Sequence, residues 1–172
     1  MEAVLRRKQI LERITKSETP ISASLLAKNL NVSRQVVVGD IALLRAQGNE
    51  IIATARGYMI PEARDANQYL GRVACKHSPE DTKAELYIIV DLGAVILNVI
   101  VGHELYGEMT GQLNLKSRED VDVFIDRVNS SEVKLLSELT MGVHLHTISC
   151  NDKSHFEEVY KALEQAGYLF KD

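Results

Sequence analysis

The chain has 172 residues, 45% of them hydrophobic and 26% charged, with a net charge of −4 and two cysteines. That length suffices for one domain or two small ones to bury a core without disulfide staples, and Cys75 and Cys150 form no CxxC pair, which fits a reducing compartment better than a secreted scaffold. The longest apolar run, Leu92 to Val101, is far short of the ~20 residues of a membrane span, so a soluble cytoplasmic protein with no membrane partner is expected.

The charge is unevenly spread. Residues 1–60 hold nine Lys and Arg against five Asp and Glu, a surplus of four positive charges, which leaves residues 61–172 at −8. A basic front and an acidic back suggest that the first part meets a polyanion and the second does not.

Residues 3–16 carry Val4, Ile10, Leu11 and Ile14 among basic residues and predict an amphipathic helix. Ser22 then caps a second helix, with Ile21 as a hydrophobic staple and Leu25, Leu26 and Leu30 as its buried stripe. After a tight turn at Asn31-Val32, Ser33 caps a third helix from Arg34 to about Ala46, closed by Gly48. Two helices joined by so short a turn make a helix-turn-helix. Val37, Ile41 and Leu44 fall on one side, leaving Ser33, Arg34, Gln35, Val38 and Arg45 as candidates to face a DNA groove. Two β-rich runs, 50–53 and 58–60, flank a Gly-containing turn and predict a wing, with Arg56 at its tip for a phosphate or the minor groove. Residues 26–48 resemble the winged helix-turn-helix family that includes the biotin repressor N-terminus. Gly39 departs from it, sitting mid-helix where a polar or basic residue is usual.

A domain boundary is expected at 61–67, a segment without apolar periodicity that begins with Pro61, between a DNA-binding domain at 1–60 and a second domain at 68–172. The second domain reads as a strand from Tyr69 to His77 and a helix opened by Ser78-Pro79 that carries Glu85 to about Asp91. Strands follow at 94–102 and 108–115. Ser117 starts a helix with Val121, Phe124, Ile125 and Val128 inward, and Leu135, Leu136 and Leu139 suggest a short one. A strand then holds His144 and His146, and a last helix capped at Ser154 turns Phe156, Val159, Tyr160 and Leu163 inward. The fold class is α+β, helices on one face of a mostly antiparallel sheet behind a winged helix-turn-helix.

Residues two apart on a strand share a face, so the imidazoles of His144 and His146 stand side by side. With His77, His103 and Glu85 they form a pool of donors suited to nickel, zinc, iron or manganese, which ligand type alone does not separate. His155, at an exposed helix start, stays outside the pool, and Cys75 reads as a buried structural thiol.

The acidic half resembles the three-histidine domain of the niacin-responsive transcriptional repressors of NAD biosynthesis genes, and the likeness runs over nearly the whole chain. It is carried by Ile89 to Gly93, Val99 to Glu108, Ser117 to Val121 and Leu139 to Ile148. Two departures are Glu104-Leu105, where Pro-Val is usual after the histidine, and Met141, where glycine is usual. The resemblance implies that His77, Glu85, His144 and His146 bind one transition metal, that His103 and Tyr106 lie near an effector pocket, and that nicotinate is a co-repressor. It also implies a homodimer on double-stranded operator DNA and no enzymatic activity. The alternatives are a direct metal-sensing regulator and a metal-dependent hydrolase fused to a DNA-binding domain. The second is disfavoured because neither a nucleophile elbow nor a His-Glu-x-x-His motif is present.

Overall fold

The computed structural model describes residues 2–62 and 65–171, and the chain divides into two compact units, Met1–Ala63 and Arg64–Asp172. The expected linker includes residues 63 and 64, which lie outside the described residues.

The first unit packs three helices, α1 (Ala3–Lys16), α2 (Ala23–Leu30) and α3 (Arg34–Ala46), with a hairpin of β1 (Ile52–Thr54) and β2 (Gly57–Met59). Both expected caps form: the Ser22 hydroxyl accepts from the Leu25 amide at 3.1 Å and the Ser33 hydroxyl from Val36 at 3.3 Å. Asn31, in the left-handed region at φ 53°, makes the turn between them. Ile10, Ile14, Leu26, Leu30, Val37, Ile41 and Leu44 are buried together. Leu25 is a correction: it is 49% exposed, because the stripe of α2 runs Ala23, Leu26, Ala27, Leu30 and position 25 lies off it. Ile21 bridges Tyr58 through two backbone bonds of 2.9 Å and adds a third rung to the hairpin. Gly57 permits this approach, since a Cβ there would stand 2.4 Å from the Ile21 carbonyl.

The second unit is a four-stranded antiparallel sheet in the order β3 (Tyr69–Lys76), β6 (Val143–Cys150), β4 (Val95–His103), β5 (Gly107–Leu115). Helices α4 (Thr82–Asp91), α5 (Arg118–Asn129) and α6 (Lys153–Gln165) cover one face. Phe156 of α6 lies flat on Gly71, where any Cβ would enter its ring, so the glycine is required by packing. Beyond α6 the backbone returns beside β3, with Lys76 donating to Tyr168 and Phe170 to Ala74, each at 2.9 Å.

Four details differ from the sequence reading. Ser78 makes no side-chain cap; a single 3₁₀ turn, Pro79–Asp81, precedes α4, and the Ser78 hydroxyl donates to the Asp81 carboxylate at 3.3 Å instead of accepting from an amide. Helix α6 begins at Lys153 and is capped by Asp152, whose carboxylate accepts from the His155 amide at 2.7 Å, so the expected Ser154 cap is two residues late. Tyr160 is 40% exposed and flanks the Val159–Leu163 stripe instead of joining it. The short helix before β6 is a 3₁₀ turn, Leu136–Thr140, in which Leu139 is 57% exposed while Ser137 is buried, the tighter winding having rotated the leucine outward.

Candidate functional site

In the second unit, the central strand β6 directs His144, His146 and Ile148 to the helix-covered face, and Glu85 descends onto them from α4. His77 follows the last residue of β3 and closes the group. The Glu85 carboxylate, fully buried, lies 2.5 Å from His77 Nε2, 3.0 Å from His144 Nε2 and 3.2 Å from His146 Nε2. Of the histidine pool, His77, His144 and His146 are thus brought together with Glu85.

The opposite nitrogen of each ring is already committed. Nδ1 of His77 is 2.8 Å from the carbonyl of Ser78, that of His144 2.8 Å from Gly142, and that of His146 2.8 Å from Asn98. A carbonyl only accepts, so each Nδ1 carries the proton and each Nε2 presents either a lone pair or a second proton. The Asn98 carbonyl reaches His146 because β4 bulges between Ile96 and Asn98, a local kink that re-aims one peptide group. The Asn98 side chain is tied in turn to the Thr147 amide at 3.1 Å. Gly142 is equally local in its effect: at φ 92° its missing Cβ leaves the His77 carbonyl room 2.4 Å away.

Burial opposes charging Glu85, yet His146, His144 and His77 together hold its carboxyl well below the usual carboxylate range. Burial likewise opposes protonating His77 and His146, and the contact with Glu85 outweighs it, so both rings titrate above their ordinary value. His146 Nε2 is buried without a hydrogen-bond partner of proper geometry. One carboxylate facing three Nε2 atoms is therefore a site that protons satisfy poorly. A divalent cation would meet three imidazole donors and one oxygen donor there, with a carbonyl behind each ring to fix its tautomer, which is the usual support of a metal-binding histidine. Cys75 also lies within this group, with Glu85 and His144, but burial and then Glu85 push its thiol far above the ordinary range and keep it protonated.

His103 and Tyr106 are elsewhere. They sit at the β4–β5 hairpin, where His103 Nδ1 accepts from the Leu105 and Tyr106 amides at 3.1 and 3.3 Å and the two rings stack at 5.1 Å. Tyr106 is 69% exposed, and neither residue lines the cavity beside Glu85. The separation follows from strand geometry: His103 stands four residues along β4 from Val99, the position paired with His146.

In the first unit, Arg34, Gln35 and Arg45 are exposed on α3, and Ser33 spends its hydroxyl as the cap. Val38 is half-buried against the core, so the outward side of the helix is presented by Val36, Gly39 and Leu43. Gly39 has open space around it. Arg56 lies in the hairpin turn, its amide held by Thr54 Oγ1 at 3.2 Å. Sequence reasoning missed the role of Asp40. It is buried on α3 and takes both Nε (2.5 Å) and Nη2 (3.2 Å) of Arg6, so one of the nine basic side chains is committed to the fold while the net surplus of four stands. The carbonyls of Ser78, Gly142 and Asn98 were also missed, since a backbone acceptor leaves no residue-type signal.

Residues 6–59 match the HTH domain family and residues 71–172 the 3H domain family. The chain is 43% identical over 169 residues, 97% of its own length and 94% of the relative's, to the transcription repressor NadR of Bacillus subtilis strain 168. It is 40% identical over 167 residues, again 97% and 94% of the two chains, to a Thermotoga maritima protein named as a probable transcription repressor, NiaR. No helix among the described residues is long and apolar enough to cross a membrane.

Proposed function

The chain belongs to the family of transcription repressors that join an HTH domain to a 3H domain, and from that premise we propose that it represses genes of NAD biosynthesis or niacin uptake with nicotinate as co-repressor. It is a DNA-binding regulator and not an enzyme. A single transition metal, nickel, zinc, iron or manganese, is held by His77, Glu85, His144 and His146. The observation that carries this reading is the convergence of three Nε2 atoms on the buried Glu85 carboxylate while all three Nδ1 atoms are engaged by carbonyls.

When bound, the metal supplies a fixed positive charge and an electrophilic position that an aromatic acid or its ring nitrogen can approach. The chain's own residues do the rest. Ser78, Gly142 and Asn98 hold the rings in register, and Glu85 balances the charge. In the first unit Arg34 and Gln35 at the start of α3 are suited to base edges, and Arg45 and Arg56 to the phosphate backbone. A cytoplasmic homodimer presents two copies of α3 to half-sites about one helical turn apart.

Nicotinate can tighten operator binding only by its differential affinity for the DNA-competent state, so a hundredfold effect requires about 2.7 kcal/mol of coupling. Elemental analysis of the purified protein, followed by fluorescence anisotropy on promoter DNA of a NAD-biosynthesis gene, tests the reading. Binding is expected to strengthen with nicotinate and to lose that response after chelation. Operator affinity that follows metal and ignores nicotinate would select a direct metal sensor.

A further inference from the structure

A small, partly enclosed cavity of about 30 Å³ lies against the cluster of His77, Glu85, His144 and His146. Val99, Phe124 and Leu136 contribute to its apolar wall, and its polar end includes Thr82, the first residue of α4. Thr82 is 8% exposed, and its hydroxyl is buried without a hydrogen-bond partner. A buried hydroxyl left unpaired is costly, and this one stands where the N-terminal end of a helix favours negative charge. Next to the cavity is an open groove of about 640 Å³ that shares His77 and Ser137 with it and has Lys76 and Lys134 among its lining residues.

We propose that this cavity is the contracted form of the effector seat: it takes a small planar aromatic acid, the Thr82 hydroxyl donates to the acid's carboxylate, and the 3₁₀ turn Leu136–Thr140 is the lid. The proposal rests on the nicotinate reading above and adds to it the seat, the discriminating residue and the route of entry. The apolar wall suits the faces of an aromatic ring, and the lysines of the groove draw an anion toward it. As it stands the cavity holds about two waters and excludes a ring, so Leu136 must move for the acid to enter.

The lid is built for such movement. Residues 131–134 leading into it are exposed, and the turn is followed by two left-handed residues, Met141 at φ 52° and Gly142 at φ 92°. Gly142 lies directly on the backbone of His77, so displacement of the lid is felt by a residue of the cluster.

Isothermal titration of the metal-loaded full chain with nicotinate tests this, using wild type, Thr82→Val, Thr82→Ser and Leu136→Trp, with metal content measured for each. Thr82→Val keeps the shape and removes the donor; it is expected to weaken nicotinate about tenfold or more, with Thr82→Ser restoring most of the affinity and metal content unchanged in both. Leu136→Trp fills the seat and is expected to abolish binding while the metal stays. If wild type binds nicotinate and Thr82→Val and Leu136→Trp bind it equally well, the seat is overturned and the effector reading survives. If Thr82→Val loses metal together with affinity, Thr82 is a structural residue and its assignment falls. If metal-loaded wild type binds no nicotinate, the seat and the effector reading fall together.

Discussion

Each unit buries a carboxylate, and the two are resolved in opposite ways. Asp40 in the first unit meets the Arg6 guanidinium through two hydrogen bonds and that of Arg7 at 3.5 Å. Glu85 in the second unit meets three imidazoles whose charge is adjustable and whose number exceeds what one carboxylate needs. A buried acid paired with guanidinium groups belongs to the fold, whereas a buried acid faced by three imidazole nitrogens is suited to share a cation with them. The same contrast separates Ser33, whose hydroxyl is spent on a cap, from Thr82, whose hydroxyl is spent on nothing.

Removing metal should have the largest effect and should act on one unit alone. At a free metal concentration a thousandfold above its Kd, binding stabilises the folded state by about 4 kcal/mol. Chelation is therefore expected to lower protection of β6 amides in hydrogen-exchange mass spectrometry and to leave α3 amides as they were. Equal protection of β6 with and without chelator would break the contrast.

Asp40→Asn is the reciprocal experiment. Leaving Arg6 and Arg7 without their carboxylate should lower the urea midpoint of unfolding, with metal content unchanged. An unchanged midpoint would show that these pairs are no more than surface contacts.

A pH series on stripped protein sharpens the comparison further. Glu85 is depressed when folded, so its contribution is present above the ordinary carboxylate value of 4.5 and is lost as pH falls through the folded value. His77 and His146 are raised, so theirs is complete below 6.5 and is lost as pH rises through their folded values. Metal-free protein should thus be most stable between about 4.5 and 6.5, while acidification should strip metal from the loaded form because its ligands must be deprotonated. Melting temperature across pH 4 to 8, in both forms, reads the two trends; parallel curves would contradict the site.

The smallest expected effect is at Gly39. Its neighbourhood is open, so Gly39→Ala should stabilise the first unit by about 0.5–1 kcal/mol through helix propensity alone. Gly39→Arg should also make operator binding more salt-dependent, by about one phosphate contact if the side chain reaches the backbone. An unchanged salt slope would place position 39 away from the DNA.

Much of this was legible in one dimension. Caps at Ser22 and Ser33, the apolar stripe of α3, the burial of Ile10 and Ile14 on α1, the alternation that sets His144 beside His146 and the start of α5 at Ser117 depend on periodicity and local hydrogen bonding, which act within a few residues. Val4, expected in the α1 stripe, is instead 71% exposed in the first turn of the helix. The outward rotation of Leu25 and Leu139 and the burial of Asp40 were not legible, because each depends on which neighbour occupies the adjoining space. The Ser154 cap failed for a narrower reason: Asp152 starts the helix two residues earlier by accepting from the His155 amide, which leaves Ser154 inside the first turn.

By itself the sequence offered a pool of candidate donors, His77, His103, His144, His146 and Glu85, and strand periodicity set His144 and His146 on one face. Tertiary structure alone decided that Glu85, 59 positions from His144, is the centre on which they converge, and that His103 is not among them. The reason is that pairing of β4 with β6 sets Val99, not His103, beside His146 and brings the Asn98 carbonyl behind its ring. Strand register is a property of the assembled sheet, and no local run of residues carries it.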